Sequence, residues 1–215
     1  MEAAGIPQLT QHPRGGWARR APDPLLQAVG VLARAIDLRD LYTGQHSEDV
    51  EELAHRVGVR LGMASQDLGD LELAARLHDV GKLSVPDAIL CKAGPLEHHE
   101  WRLMRSHAQT GAAMIARVRG LERVARIVRS HHERWDGRGY PDGLVGRSIP
   151  LASRVVAVCD AYRAMTVRRP YREALEPGAA LIELRRQSGR QFDPAVVAAL
   201  MAEFVAGREG PLAAE

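Results

Sequence analysis

Three observations predict an all-α fold, a single helical bundle of about seven to eight helices. Ala, Leu, Val and Arg are abundant while only 4% of residues are aromatic, a balance that favours helix over sheet. Apolar residues recur at three- and four-residue spacings along most of the chain. Gly and Pro punctuate these runs at intervals of ordinary helix length. With 215 residues, 46% of them hydrophobic, the chain can bury one sizeable core.

Residues 1–22 mix Gly, Pro, Gln and Arg without periodicity, so a disordered tail is expected there, with the folded domain over 23–207 and a flexible tail over 208–215. From Pro24, the positions Leu26, Val29, Leu32, Ala33 and Ile36 form one helical stripe that ends near Arg39-Asp40. Ser47 precedes acidic residues and the set Val50, Leu53, Ala54, Val57 and Leu61, with Gly62 as the stop. Ser65 suits the N-cap of a third helix carrying Leu68, Leu71, Ala75 and Leu77, and a stop at Gly81 places His78 and Asp79 in its last turn. Pro86, Gly94 and Pro95 mark a connecting segment, after which a helix runs from about Trp101 through His107 to Val118.

Leu121, Val124, Ile127 and Val128 give the apolar face of a helix ending at His131-His132, where a run with three glycines and a proline takes over. Pro150 opens a strongly apolar helix containing Asp160, and Pro170 closes it. Two more helices are expected, Pro177 to about Arg186 and, after an Asp193 cap and Pro194, on to about Ala206.

Twenty-nine basic and 27 acidic residues leave a formal charge of +2, too little to make duplex nucleic acid the main partner, although a small anion fits. No stretch has the length and apolarity of a membrane span, and the N-terminus lacks the pattern of a signal peptide, so a cytoplasmic protein without membrane contact is expected. Cys91 and Cys159 have no metal-type spacing and read as reduced core residues.

Nine histidines are present, and five of them, His46, His78, His107, His131 and His132, fall at or near helix ends in apolar surroundings. Asp79 and Asp160 lie inside apolar helical runs, where an unpaired charge is costly. One such histidine is ordinarily a hydrogen-bonded core residue. Taken as a set, they point to shared metal, with His78-Asp79 and His131-His132 each able to embrace a site from two directions and Asp79 able to bridge two ions.

The segment His78-Asp79-Val80-Gly81-Lys82 resembles the HD signature of the HD phosphohydrolases. His131-His132-Glu133-Arg134-Trp135-Asp136-Gly137-Arg138-Gly139-Tyr140-Pro141 resembles the long HHExxDGxGYP signature of HD-GYP domains. The likeness runs from about Tyr42 to Leu200, roughly three quarters of the chain. It implies a metal-dependent phosphodiesterase that hydrolyses cyclic di-GMP to pGpG, GMP or both, with a water or hydroxide bridging two ions as nucleophile.

Carried over by position, the resemblance puts His46, His78, Asp79 and Asp160 on one ion and Asp79, His107, His131 and His132 on the other. Tyr42 stands where some members place a third-metal Glu, so two ions are expected. The donor set suits divalent transition metals, and the resemblance favours iron or manganese. Asp79 and Lys82 are the implied catalytic residues, with Lys82 on the scissile phosphate. The implied substrate contacts are Lys82, Gly139, Tyr140, Pro141, Arg169 and Arg172. Glu133 is expected to orient a ligand histidine, while Asp136 and Asp142 read as turn residues. Arg163 replaces an Asp that many members carry three residues after the metal-binding Asp, an expected influence on the leaving group or loop.

Two other readings stay open: a signalling module that binds cyclic di-GMP or a protein such as a diguanylate cyclase without turnover, and a phosphohydrolase for another nucleotide, such as a mixed cyclic dinucleotide. A homodimer through the apolar stripe of the first helix is a further expectation.

Overall fold

The computed structural model describes residues 24–40, 46–167 and 173–206. The two expected tails, Tyr42, Arg169, Pro170 and Arg172 lie outside these. Nine α-helices are present among the described residues: α1 (Pro24–Arg39), α2 (His46–Arg60), α3 (Ser65–Leu77), α4 (Asp87–Leu90), α5 (His98–Ile115), α6 (Glu122–Arg129), α7 (Leu151–Thr166), α8 (Pro177–Arg186) and α9 (Pro194–Ala206). The one helix beyond the expected number is α4, a single turn in the segment read as a connection. Short 3-10 helices cover Val80–Ser84 and Gly146–Ser148, and the only β-type pairing among the described residues is an isolated Ser188–Phe192 bridge.

The terminal signals behave as chemistry requires in several places. Gly62 (φ 71°) ends α2 in a Schellman arrangement, with the Gly62 N–H donating to the Val59 carbonyl and the Met63 N–H to Gly58. Asp193 caps α9 by accepting from the Ala195 N–H at 2.8 Å. Ser65, by contrast, is the first residue of α3 and not its cap; Ala64 holds the cap position with no side-chain hydrogen bond. At the start of α5, Glu97 and Glu100 form a reciprocal capping box.

Helix α2 packs against α3 and α7, α5 packs against α6 and the 3-10 segment Val80–Ser84, and α9 covers α2 and α7. Leu53, Val57, Leu71, Val128, Val155, Leu184 and Leu200 meet in the main core. Each such side chain contributes about 1.5–3 kcal/mol on burial. A smaller cluster of Val85, Ile89 and Leu90 sits under Leu96 and Met104 and seats α4. Cys159 is buried in α7, but Cys91 is exposed, which corrects its reading as a core residue: it follows α4 at the surface, its Sγ 3.6 Å from the Arg39 carbonyl.

Candidate metal centre

The predicted α3 does not carry His78 and Asp79 in its last turn. It ends at Leu77, His78 is its C-cap, and Asp79 (φ −96°, ψ 4°) begins the turn into the 3-10 segment. The cause lies across the bundle. A Cβ on Gly81 would stand 1.9 Å from the His107 carbonyl oxygen and 2.6 Å from the Gly111 nitrogen, so this backbone is pressed directly onto α5. The chain leaves the α-helical path to reach that contact, and the turn aims Asp79 between the histidines of α3 and α5. Likewise α6 stops at Arg129, leaving His131 and His132 just beyond the helix end.

All seven expected ligands come together. His46, His78 and Asp160 form one group and His107, His131 and His132 another, with ligand atoms in each within 4.8 Å of one another. Asp79 lies between them, its Oδ2 3.4 Å from His78 Nε2 and its Oδ1 3.5 Å from His107 Nε2. His46 Nε2 is 3.2 Å from Asp160 Oδ1. His46, His78, Asp79, His107 and His131 are buried, while His132 and Asp160 are partly exposed.

The imidazoles are oriented for ligation. Nδ1 of His78, His107 and His131 lies 2.7, 2.7 and 2.5 Å from the carbonyls of Ala75, Met104 and Val128. A carbonyl only accepts, so each Nδ1 carries a proton and each Nε2 points inward as the candidate ligating atom. Burial pushes the pKa of His107 and His131 down and that of His132 down to about 3, so these three rings are neutral at pH 7. Burial opposes charge on His78 too, but Asp79 and Asp160 outweigh it and raise its pKa to about 9. Burial also opposes the charge on both carboxylates; Lys82 and His78 hold Asp79 well below the usual range, and His46 and His78 hold Asp160 low.

The neutral nitrogens face each other closely. His107 Nε2 is 3.2 Å from His132 Nε2 and 3.4 Å from His131 Nε2. Two imidazoles sharing one first-row ion at about 2.1 Å stand roughly 3.0–3.4 Å apart for octahedral or tetrahedral angles. The buried His78 Nε2 makes no well-formed hydrogen bond among the described residues. Converging nitrogens of neutral rings, an unsatisfied buried nitrogen, and the anionic carboxylates of buried Asp79 and partly exposed Asp160 fit metal ions in both groups.

A family model described as the HD domain matches residues 30–196. The chain belongs to the HD domain family. It is similar to the cyclic di-GMP phosphodiesterase response regulator RpfG of Xanthomonas campestris pv. campestris, with 44% identity over 177 residues, 81% of this chain and 47% of that protein. It is also similar to 3'3'-cGAMP-specific phosphodiesterase 2 of Vibrio cholerae, with 37% identity over 187 residues, 85% of this chain and 36% of that protein. The chain thus spans about half, or less, of the length of these relatives. Its fold matches a solved cyclic GMP-AMP-specific phosphodiesterase of V. cholerae with TM-score 0.63 and 20% identity, covering 85% of this chain and 51% of that one.

Around the centre of this HD domain, Lys82 Nζ lies 2.7 Å from Asp79 Oδ2 and pairs also with Asp40 at the end of α1. Arg39 ties the same end of α1 to the Lys82 and Val85 carbonyls at 2.9 and 2.7 Å. Neither Asp40 nor Arg39 stands out in the sequence, where each reads as an ordinary helix-end residue.

Glu133 does not orient a ligand histidine. Its buried carboxylate accepts from the backbone N–H groups of Asp142, Gly143 and Leu144 at 2.7, 3.0 and 3.1 Å and so closes the loop that carries Tyr140 and Pro141. Gly139 serves the same closure: a Cβ there would lie 2.3 Å from the Arg134 nitrogen. Asp136 and Asp142 act as turn residues, held by Arg134 and Arg129 respectively. The loop sets the Tyr140 ring on His132, centroids 4.9 Å apart at 29°. Glu133→Ala strips one charged acceptor from three backbone donors and is expected to lower stability by about 3 kcal/mol in urea denaturation. A loss under about 1 kcal/mol would rule out the clamp.

Arg163, the departure noted in the sequence, pairs with Asp49. Asp49 lies three residues beyond His46 on α2 and Arg163 three beyond Asp160 on α7, so the ion pair forms a second rung beside His46–Asp160. The Arg163 charge on α7 is thus answered by a carboxylate from the neighbouring helix α2.

Proposed function

We propose that this HD domain is a dinuclear metal-dependent phosphodiesterase acting on cyclic di-GMP, yielding pGpG, GMP or both. The observation that carries the reading is the pair of ligand groups with Asp79 between them, one oxygen toward each. His46, His78, Asp79 and Asp160 would hold one ion and Asp79, His107, His131 and His132 the second; the imidazole-rich set suits divalent transition metals, and the resemblance to HD-GYP domains favours iron or manganese among them. When bound, the metals would supply Lewis acidity toward the phosphoryl oxygens and lower the pKa of a water.

The chain's own residues do the rest. Lys82 offers a cation beside Asp79 to the scissile phosphate, and its pairing with Asp40 keeps the ammonium at that edge. Burial keeps the Tyr140 hydroxyl protonated, its pKa pushed up well above the ordinary phenol, so it serves as a donor. Gly139 and Pro141 fix that ring, while Arg169 and Arg172 are the proposed phosphate contacts from the segment after α7. The names of the relatives favour cyclic di-GMP, with 3'3'-cGAMP as the second substrate to try.

The test is metal removal and return. Protein prepared without oxygen and stripped by chelator is expected to leave cyclic di-GMP intact over an hour of chromatographic sampling, and two equivalents of manganese or ferrous iron to restore product formation. Turnover that survives full stripping, or none at full occupancy with either cyclic dinucleotide, would overturn the proposal.

A further inference from the structure

On α5, Trp101 and Arg105 stand one turn apart on the same face. The Arg105 guanidinium carbon lies 5.6 Å from the Trp101 ring centroid and 5.3 Å from that of Tyr140. Tyr140 in turn stacks on His132, so a continuous series of planar groups leads from the histidine centre to the surface. Trp101 is 47% exposed at the outer end, and Arg105 is exposed beside it.

Two rings position Arg105, and neither is a conventional hydrogen-bond acceptor. A guanidinium carries five N–H donors in one plane. Most arginines near the loop are committed otherwise: Arg129 to Asp142, Arg134 to Asp136, and Arg154 to Asp193. Arg105 makes no hydrogen bond or ion pair among the described residues. A planar donor group held beside a half-exposed indole suits a heteroaromatic ring that accepts hydrogen bonds from the one and stacks on the other.

We infer that Trp101, Arg105 and Tyr140 form a guanine-binding shelf that holds one base of the substrate beside the metal centre, with Arg105 as its specificity-determining residue. Guanine presents O6 and N7, two adjacent acceptors that match the guanidinium edge; adenine puts an amino donor in place of O6 and opposes it. The indole face stacks either purine and adds affinity without discrimination. The inference rests on the proposed action on a cyclic dinucleotide and adds which residues read the base.

The experiment compares cyclic di-GMP with cyclic di-AMP on the full chain loaded with manganese, by calorimetric binding and by steady-state kinetics. Wild type is expected to favour cyclic di-GMP. Arg105→Lys, which keeps a charge able to hold phosphate but loses the planar fork, should cut the binding preference about tenfold. Trp101→Ala should raise KM for both by about tenfold, with kcat within twofold. A ratio that Arg105→Lys leaves unmoved, equal weakening toward both nucleotides, or no binding of either by wild type overturns the shelf. Binding with the expected ratio but no turnover of cyclic di-GMP, nor of bis(p-nitrophenyl) phosphate, would support the shelf and overturn the hydrolase.

Discussion

Asp79→Asn is expected to lower cyclic di-GMP turnover by about three orders of magnitude and to bring the bound metal from two ions per chain towards one. Asparagine keeps the shape of the side chain but loses the charge, and its amino group can only donate. Both Asp79 oxygens face imidazole nitrogens, His78 Nε2 on one side and His107 Nε2 on the other, and Oδ2 also accepts from Lys82. Whichever way the amide turns, it presents N–H to a position where a ligand oxygen is needed. Loss of a single preorganised donor in an active site costs 100- to 1,000-fold, and a residue shared by two ions lies at the upper end of that range. Lys82 keeps Asp40 as a partner in the variant, so the fold is expected to survive. Metal analysis, circular dichroism and product chromatography on one preparation read all three quantities. Two full equivalents of metal with turnover within tenfold of wild type would remove Asp79 from the bridging position.

How far the sequence reveals this site depends on the distance over which each feature is determined. The boundaries of α8 and α9 follow from local signals, Pro at the first turn and an Asp cap, and they match expectation. The candidate ligand histidines are legible in part for the same reason: their placement near helix ends, the adjacency of His78 to Asp79 and that of His131 and His132 to the Gly-rich loop are local facts. What the sequence hides are the partners. Lys82 finds Asp40 across 42 positions and Arg163 finds Asp49 across 114, and at either end each residue looks like an ordinary surface charge. Glu133 lies next to two ligand histidines, which suggests that it orients one of them, but its carboxylate turns to the loop ahead, where three backbone N–H groups have no other acceptor. Trp101 and Arg105 read as a hydrophobic residue and a solvated charge of an amphipathic helix until the fold sets the Tyr140 ring against Arg105.

The switch from α3 to the 3-10 segment is the other feature that local signals misplace, and it yields the second large effect: Gly81→Ala is expected to destabilise the metal-free protein by more than about 3 kcal/mol, a fall of roughly 6–12 °C in Tm. Overpacking a core usually costs 1–3 kcal/mol because side chains can move aside. Here the obstacle is backbone, with the His107 carbonyl oxygen 1.9 Å and the Gly111 nitrogen 2.6 Å from the added carbon, so relief requires the 3-10 segment to lift off α5. That movement carries Asp79 and Lys82 away from His107, so the same substitution is expected to weaken metal binding. Two other glycines calibrate the result. Gly111→Ala meets its nearest neighbour, the Gly81 nitrogen, only at 3.0 Å and should cost about 1 kcal/mol, while Gly94→Ala meets nothing within 4 Å and should stay within about 0.5 kcal/mol of wild type. Urea denaturation of the three variants without metal separates packing from ligation. If Gly81→Ala ranks with Gly94→Ala, the close approach of the two backbones is not what turns the chain at Asp79, and the placement of its carboxylate between the two histidine groups needs another cause.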